Sequence, residues 1–225
     1  MSGPVNIVFL LLLSVLCAAG EKGYVRFINA TDVGKGLMNF SVDGKSLYEK
    51  GYGSGQKTGG LGFPEGQLIF VASKNDCEPA SLKISVVAGK TTSYIVYAIR
   101  SDSRRKNAPP WKLQIRSLPQ SSPEKGFELS VLSLTSIPEL TLDLSLGGVR
   151  KGSVSALKQQ VNSIPLKGVA GENVEVSIKG RPFKVLGFDE AGRTFLILYQ
   201  TSDGRLKATD FFDADIGSYV EETDD

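Results

Sequence analysis

FSVDG at Phe40–Gly44 and AGKTTSYIVY at Ala88–Tyr97 each return once, in the same order, as LSLGG at Leu144–Gly148 and AGRTFLILY at Ala191–Tyr199. The offsets are 104 and 103 residues, and the second mark comes back one residue shorter. Two marks kept in order at one spacing are the signature of tandem copies of a folding unit. Phe40 and Val42 alternate with Asn39, Ser41 and Asp43, so one face of that strand is apolar. Asp43-Gly44 follows at once, a pair suited to the positive φ angles of a type I′ hairpin turn, and the chain is expected to double back through Leu47 and Tyr48.

The rest of the first copy reads as short strands divided by Gly and Asp: Tyr24–Ala30, Leu68–Ala72, Leu82–Val87, Ser93–Ile99, and Leu113 with Ile115. The second copy repeats the order, with period two clearest at Leu142, Leu144, Leu146 and at Val174, Val176, Ile178. No window has a convincing helical period; Ser155–Val161 has room for one or two turns. Strands at this spacing imply an antiparallel sandwich, with a small barrel as the alternative. Tyr94–Ile99 and Phe195–Tyr199 are apolar on both faces. Either the two modules pack against each other through those sheets, or large cross-strand neighbours cover the outer face.

LPQSSPEKG at Leu118–Gly126 holds two prolines and two serines between strand patterns and reads as a short, rather stiff linker. Ahead of the first copy, Ile7–Ala19 is a thirteen-residue apolar run broken only by Ser14 and followed by Gly20. Its length suits a secretory signal and falls short of the roughly 20 residues a membrane span needs. The expected organisation is a signal peptide over 1–20, a β-sandwich domain over 21–118, a linker over 119–126, a second sandwich over 127–216 and an acidic tail over 217–225. Cys17 leaves with the signal, although a lipid-modified cysteine is an alternative that the bulky Leu16 disfavours. Cys77 then has no partner within the chain and is either buried or available to another molecule.

Charge is nearly balanced, with 26 basic and 24 acidic residues. Arg100, Arg104, Arg105 and Lys106 cluster after the first repeat mark, and Asp210 to Asp225 holds seven acidic residues without a cation. A solvated loop and an acidic terminus account for both, and export argues against nucleic acid. The chain has no histidine, which removes the commonest general base, the Ser-His-Asp and Cys-His arrangements and imidazole metal ligands. Asp189-Glu190 reads as a turn, and Asp213-Ala-Asp215 lacks the rest of an EF-hand loop. No catalytic residue, metal site or cofactor is expected.

GYGSGQKTGGLGFPEG at Gly51–Gly66 carries seven glycines in sixteen residues but fits neither GxGxxG nor GxxxxGK[ST]. The second copy replaces it with unrelated sequence, so it is the place for something specific to the first module. Tyr52, Phe63 and Trp111, with Tyr48, are the candidate ligand-binding residues, since flat aromatic rings suit a sugar or a peptide. The structural alternative is that Tyr48 and Phe63 cap the core and Trp111 plugs one end of the sandwich. The triplets Asn29-Ala-Thr31 and Asn39-Phe-Ser41 match glycosylation acceptors but read as strand residues.

YVRFINAT at Tyr24–Thr31, VDGK at Val42–Lys45, PEGQLIFVAS at Pro64–Ser73 and VVAGKTTSYIVYA at Val86–Ala98 resemble bacterial extracytoplasmic domains of the family known as domain of unknown function 4397. The likeness covers about residues 24–100; in the second copy Ser130–Thr135 stands for the RFINA segment and LGG for VDG. The resemblance implies an exported β-sandwich, often in tandem, with no assigned catalytic residues. The expected fold class is therefore all-β, two tandem antiparallel sandwiches of the Ig-like or transthyretin-like kind after a signal peptide. The expected role is a non-catalytic binding or structural protein, secreted, periplasmic or in the cell envelope, with envelope polysaccharide or another envelope protein as partner. Completion of a partner's sheet by an edge strand and a carboxylate-dependent hydrolase are the alternatives.

Overall fold

Residues 22–102, 108–119 and 126–213 are described by the computed structural model, and all their regular structure is strand. The expected signal segment with Cys17, the cations Arg104, Arg105 and Lys106, residues 120–125 of the expected linker and the acidic stretch from 214 onward lie outside the described residues. The first module comprises β1 (Lys22–Asn29), β2 (Lys35–Val42), β3 (Lys45–Ser46), β4 (Leu61–Pro64), β5 (Gly66–Asn75), β6 (Cys77–Glu78), β7 (Ala80–Val86), β8 (Thr91–Arg100) and β9 (Trp111–Pro119). The second comprises β10 (Phe127–Ser133), β11 (Glu139–Leu146), β12 (Val149–Leu157), β13 (Val161–Leu166), β14 (Glu172–Ile178), β15 (Arg181–Phe188), β16 (Gly192–Gln200) and β17 (Leu206–Phe212).

Each module is a sandwich, and the two share one topology. Sheet β4-β1-β8-β9-β6 faces sheet β3-β2-β5-β7, as β13-β10-β16-β17 faces β12-β11-β14-β15. Most pairs are antiparallel, yet in both modules the first strand runs parallel to its partner late in the chain, β1 beside β8 and β10 beside β16. Shared order and shared parallel pairs confirm the duplication read from the repeat marks. The hairpin turns follow the chemistry as well: Asp43 and Gly44 have φ of 47° and 77°, Gly147 and Gly148 of 55° and 79°, as a type I′ turn requires. Beyond the first turn β3 holds only Lys45–Ser46, although the Leu47 amide still donates to the Phe40 carbonyl at 2.9 Å. Ser155–Leu157 does not turn into helix; it continues β12, with Ala156 buried opposite Leu140.

Three apolar layers result from period-two alternation along the inner strands. Val25 and Phe27 of β1 and Tyr94 and Val96 of β8 point into the first module's core, where Phe27 stacks on Phe70 with ring centroids 4.0 Å apart. The second module's core is largely aliphatic, built on Leu129, Val131, Leu142, Leu144, Leu196 and Leu198. The alternate residues of the same strands, Ile28, Ile95, Leu132, Phe195, Ile197 and Tyr199, form a third buried cluster between the modules. The strands with two apolar faces are thus buried on both sides, as middle layers of a four-sheet stack. Leu118, near the end of β9, belongs to this third cluster, so the strand continues into the stretch that reads as linker.

Candidate functional site

Two features lie along the junction of the modules: a latch that holds them together and a cleft at one end. The latch begins at Arg26. Alternation on β1 turns this residue outward between Val25 and Phe27, toward the second module. Its guanidinium lies 4.9 Å from the centroid of the Phe211 ring and donates to the Phe212 carbonyl at 3.2 Å. Burial pulls the Arg26 pKa below its ordinary value, and the charge of Asp213, itself buried, opposes that shift. Further along β17, the Lys57 ammonium donates to the Asp210 carbonyl at 2.6 Å and the Thr209 hydroxyl to the Gly55 carbonyl at 2.8 Å. Lys207 pairs with Asp32 at 2.6 Å, so contacts descend β17 as β1 ascends.

The glycine-rich segment supplies much of this latch. Asn29, fully buried at the end of β1, donates from Nδ2 to the carbonyls of Tyr52 and Gly53 at 3.1 and 2.9 Å, and its Oδ1 accepts from the Thr31 amide. Its backbone also exchanges hydrogen bonds with Gln56 and Gly55. The loop so fixed carries Ser54, whose hydroxyl lies 2.9 Å from that of Tyr199, and Gly55, whose φ of 78° and closeness to Tyr199 exclude a larger residue without strain. What is specific to the first module here is docking of the second. Asn29 was legible only as a strand residue in a chance triplet; a buried Asn at the mouth of a glycine-rich loop is the signal that points to its role.

The cleft lies where β1, β8, β10 and β16 all end. It has a volume of about 480 Å³ and takes its walls from both modules. Trp111 and Arg100, paired across β8 and β9, line the first-module side, with the guanidinium 4.4 Å from the centroid of the indole ring. Ser136, Lys158, Gln200 and Ser202 line the other side. Thr31 and Thr135, one repeat apart, both reach it. Thr135 is satisfied within its own turn, with Oγ1 3.0 Å from that of Ser133 and accepting from the Ile137 amide at 3.2 Å. Thr31, 1% exposed, has no partner for its hydroxyl, an arrangement that costs about 1–3 kcal/mol when left unfilled.

Of the aromatic candidates, Trp111 lines this cleft, whereas Tyr52 and Phe63 do not. Tyr52 stacks on Phe40 at 4.8 Å, with Tyr48 beside it, and burial followed by the neighbouring Tyr48 phenol pushes its pKa up. Phe63 on β4 packs against the first core, and Tyr48 remains half exposed. Asp189-Glu190 lies between β15 and β16, in the turn expected of it. Cys77 is buried on β6 beside Trp111 of β9, and burial pushes its thiol pKa up. Among the described residues no three His, Cys, Asp or Glu side chains gather as metal ligands do.

The fold thus defines an all-β chain of tandem sandwiches with a cleft between them. No protein-family model and no curated protein matches it. Among solved structures it is similar to one described as the Bacillus anthracis TIE protein, with 11% identity and a TM-score of 0.26 over 80% of this chain and 50% of that one. The chain therefore spans half the length of that protein.

Proposed function

We propose that this chain is an exported, non-catalytic binding protein of the cell envelope or exterior, of the kind its likeness to domain of unknown function 4397 implies. The observation that carries the reading is the cleft between the modules, with two aromatic residues, Trp111 and Tyr199, and two cations around a space of small-molecule size. The latch suits that task, because two modules held in fixed register keep the cleft's shape without ligand. The absence of histidine supports binding over turnover. The test is expression of the full chain in a bacterial host, followed by fractionation and retention assays of the exported protein on immobilised envelope polysaccharides and envelope extract. Recovery outside the cytosol with a chemically unchanged bound component is the expected result. Retention in the cytosol, or release of a cleaved product, overturns the proposal.

A further inference from the structure

Charge around the cleft is one-sided. Arg100 and Lys158 enter it from opposite modules, and among the described residues no carboxylate lines it and neither cation has an ion-pair partner. The acidic neighbours on the flank are already engaged: Asp32 with Lys207 at 2.6 Å and Asp203 with Arg205 at 2.8 Å. Two cations facing a common space with no counter-charge favour an anion there. An Arg held over an indole keeps its planar fork free at the edge, which suits two-point contact with a carboxylate or phosphate.

The remaining walls describe the body that carries this charge. Trp111 packs against the first core and carries the Arg100 guanidinium over its ring, while across the cleft Ser202 and the Ser136–Gln200 pair, joined at 2.7 Å, supply short polar groups. Short polar groups facing two cations match a small body that bears hydroxyls as well as charge. The buried Thr31 hydroxyl without a partner contrasts with its satisfied counterpart Thr135, and marks the first-module wall as the incomplete one. We propose that the cleft binds a small anionic sugar, with Arg100 and Lys158 holding its charge, Trp111 positioning Arg100 and the opposite wall's short polar groups meeting its hydroxyls. This rests on the reading of the chain as a binding protein and names the ligand class.

Trp111 is the chain's one tryptophan, so its emission reports on the cleft directly. The experiment titrates the exported chain with D-glucuronate, D-glucose 6-phosphate and neutral D-glucose, which share a ring and differ at one carbon. A saturable change with at least one anion, absent with glucose and weakened by salt, is expected. Which anion binds tighter identifies the carboxylate or phosphate source. Arg100→Ala and Lys158→Ala, both at exposed positions, are expected to weaken binding at least about tenfold while thermal unfolding stays unchanged. Thr31→Val tests the buried hydroxyl, with a smaller loss expected. Equal response to glucose, or anion binding that survives both cation substitutions, overturns the proposal. If no sugar moves the emission while the protein still retains an envelope component, the ligand class is wrong and the binding role stands. If nothing is retained either, both fail.

Discussion

The guanidinium of Arg26 and the ring of Phe211 meet 4.9 Å apart across the boundary between the two modules, the first on β1 and the second on β17. With Asp213 buried close by, this contact makes the junction behave like a domain core rather than a hinge. Arg26→Ala removes the cation–π contact with Phe211 and one donor to the Phe212 carbonyl, together a loss of about 2–3 kcal/mol at a desolvated site. Urea unfolding is expected to show a loss of that size, together with separate tumbling of the modules in NMR relaxation. A loss under about 1 kcal/mol is what a solvated pair gives, and would refute the burial.

Asn29 pins the glycine-rich loop from inside the first module. Asn29→Ala removes one of two donors from each of the Tyr52 and Gly53 carbonyls, which keep the Met38 and Gln56 amides, and takes away the acceptor of the buried Thr31 amide. One buried group left unsatisfied sets the expected cost at about 1–3 kcal/mol. Faster hydrogen exchange at the Gly55 and Gln56 amides is expected in the same variant, since both lie on the segment that Asn29 holds. Exchange unaltered in that loop would show that the latch keeps itself in place.

Gly55 and Gly44 have nearly the same backbone, with φ of 78° and 77°, but differ in surroundings. A Cβ at Gly44 meets nothing within 4 Å, whereas one at Gly55 comes 3.1 Å from the Tyr199 hydroxyl. Alanine at either position incurs the left-handed penalty of about 1–2 kcal/mol. Only Gly55→Ala is expected to add a shift in the relative orientation of the modules, measurable by residual dipolar couplings. Equal behaviour of the two variants would remove the second module from the explanation.

The sandwich was legible because period two at Leu142, Leu144, Leu146 and the Asp43-Gly44 turn are local signals that the tertiary structure had no reason to override. The stacking of modules was half legible: two-faced apolar strands left a choice that only the long-range contacts of Ile95 with the second module could decide. Cleft and latch were less so. Trp111 stood out as an aromatic, but its neighbours Thr31, Lys158 and Gln200 come from three other places in the chain and carry no motif. Tyr52 and Phe63 looked equally suited to a ligand, and packing against Phe40 and the first core takes them inward instead.

Cys77 is expected to be chemically quiet in the folded protein. It is 7% exposed and its thiol pKa is raised by burial, so little thiolate forms at neutral pH. Ellman's reagent should react slowly at pH 8 and fully in denaturant, a ratio of at least about a hundredfold if reaction follows opening of the fold. Prompt reaction of the native chain would place the thiol at the surface.

Glu128 gives the junction's outer face its pH dependence. Burial pushes its pKa up, but hydrogen bonds from Arg193, Ser130 and Ser163 and the charge of Arg193 outweigh that and hold it below the ordinary 4.5. The Arg193 Nε lies 2.6 Å from Glu128 Oε1, and both side chains are largely buried. A carboxyl whose folded pKa lies below its unfolded value stabilises fully above the unfolded value, and that contribution is lost as pH falls through the folded one. The window therefore opens near pH 4.5 and extends downward. Glu128→Gln is expected to be less stable than the parent at pH 7 and to converge with it as pH falls through the lowered pKa of Glu128, because both then lack the charge. Urea midpoints across that range decide it, and a gap that stays constant with pH would mean that packing, not ionisation, sets the contribution of this residue.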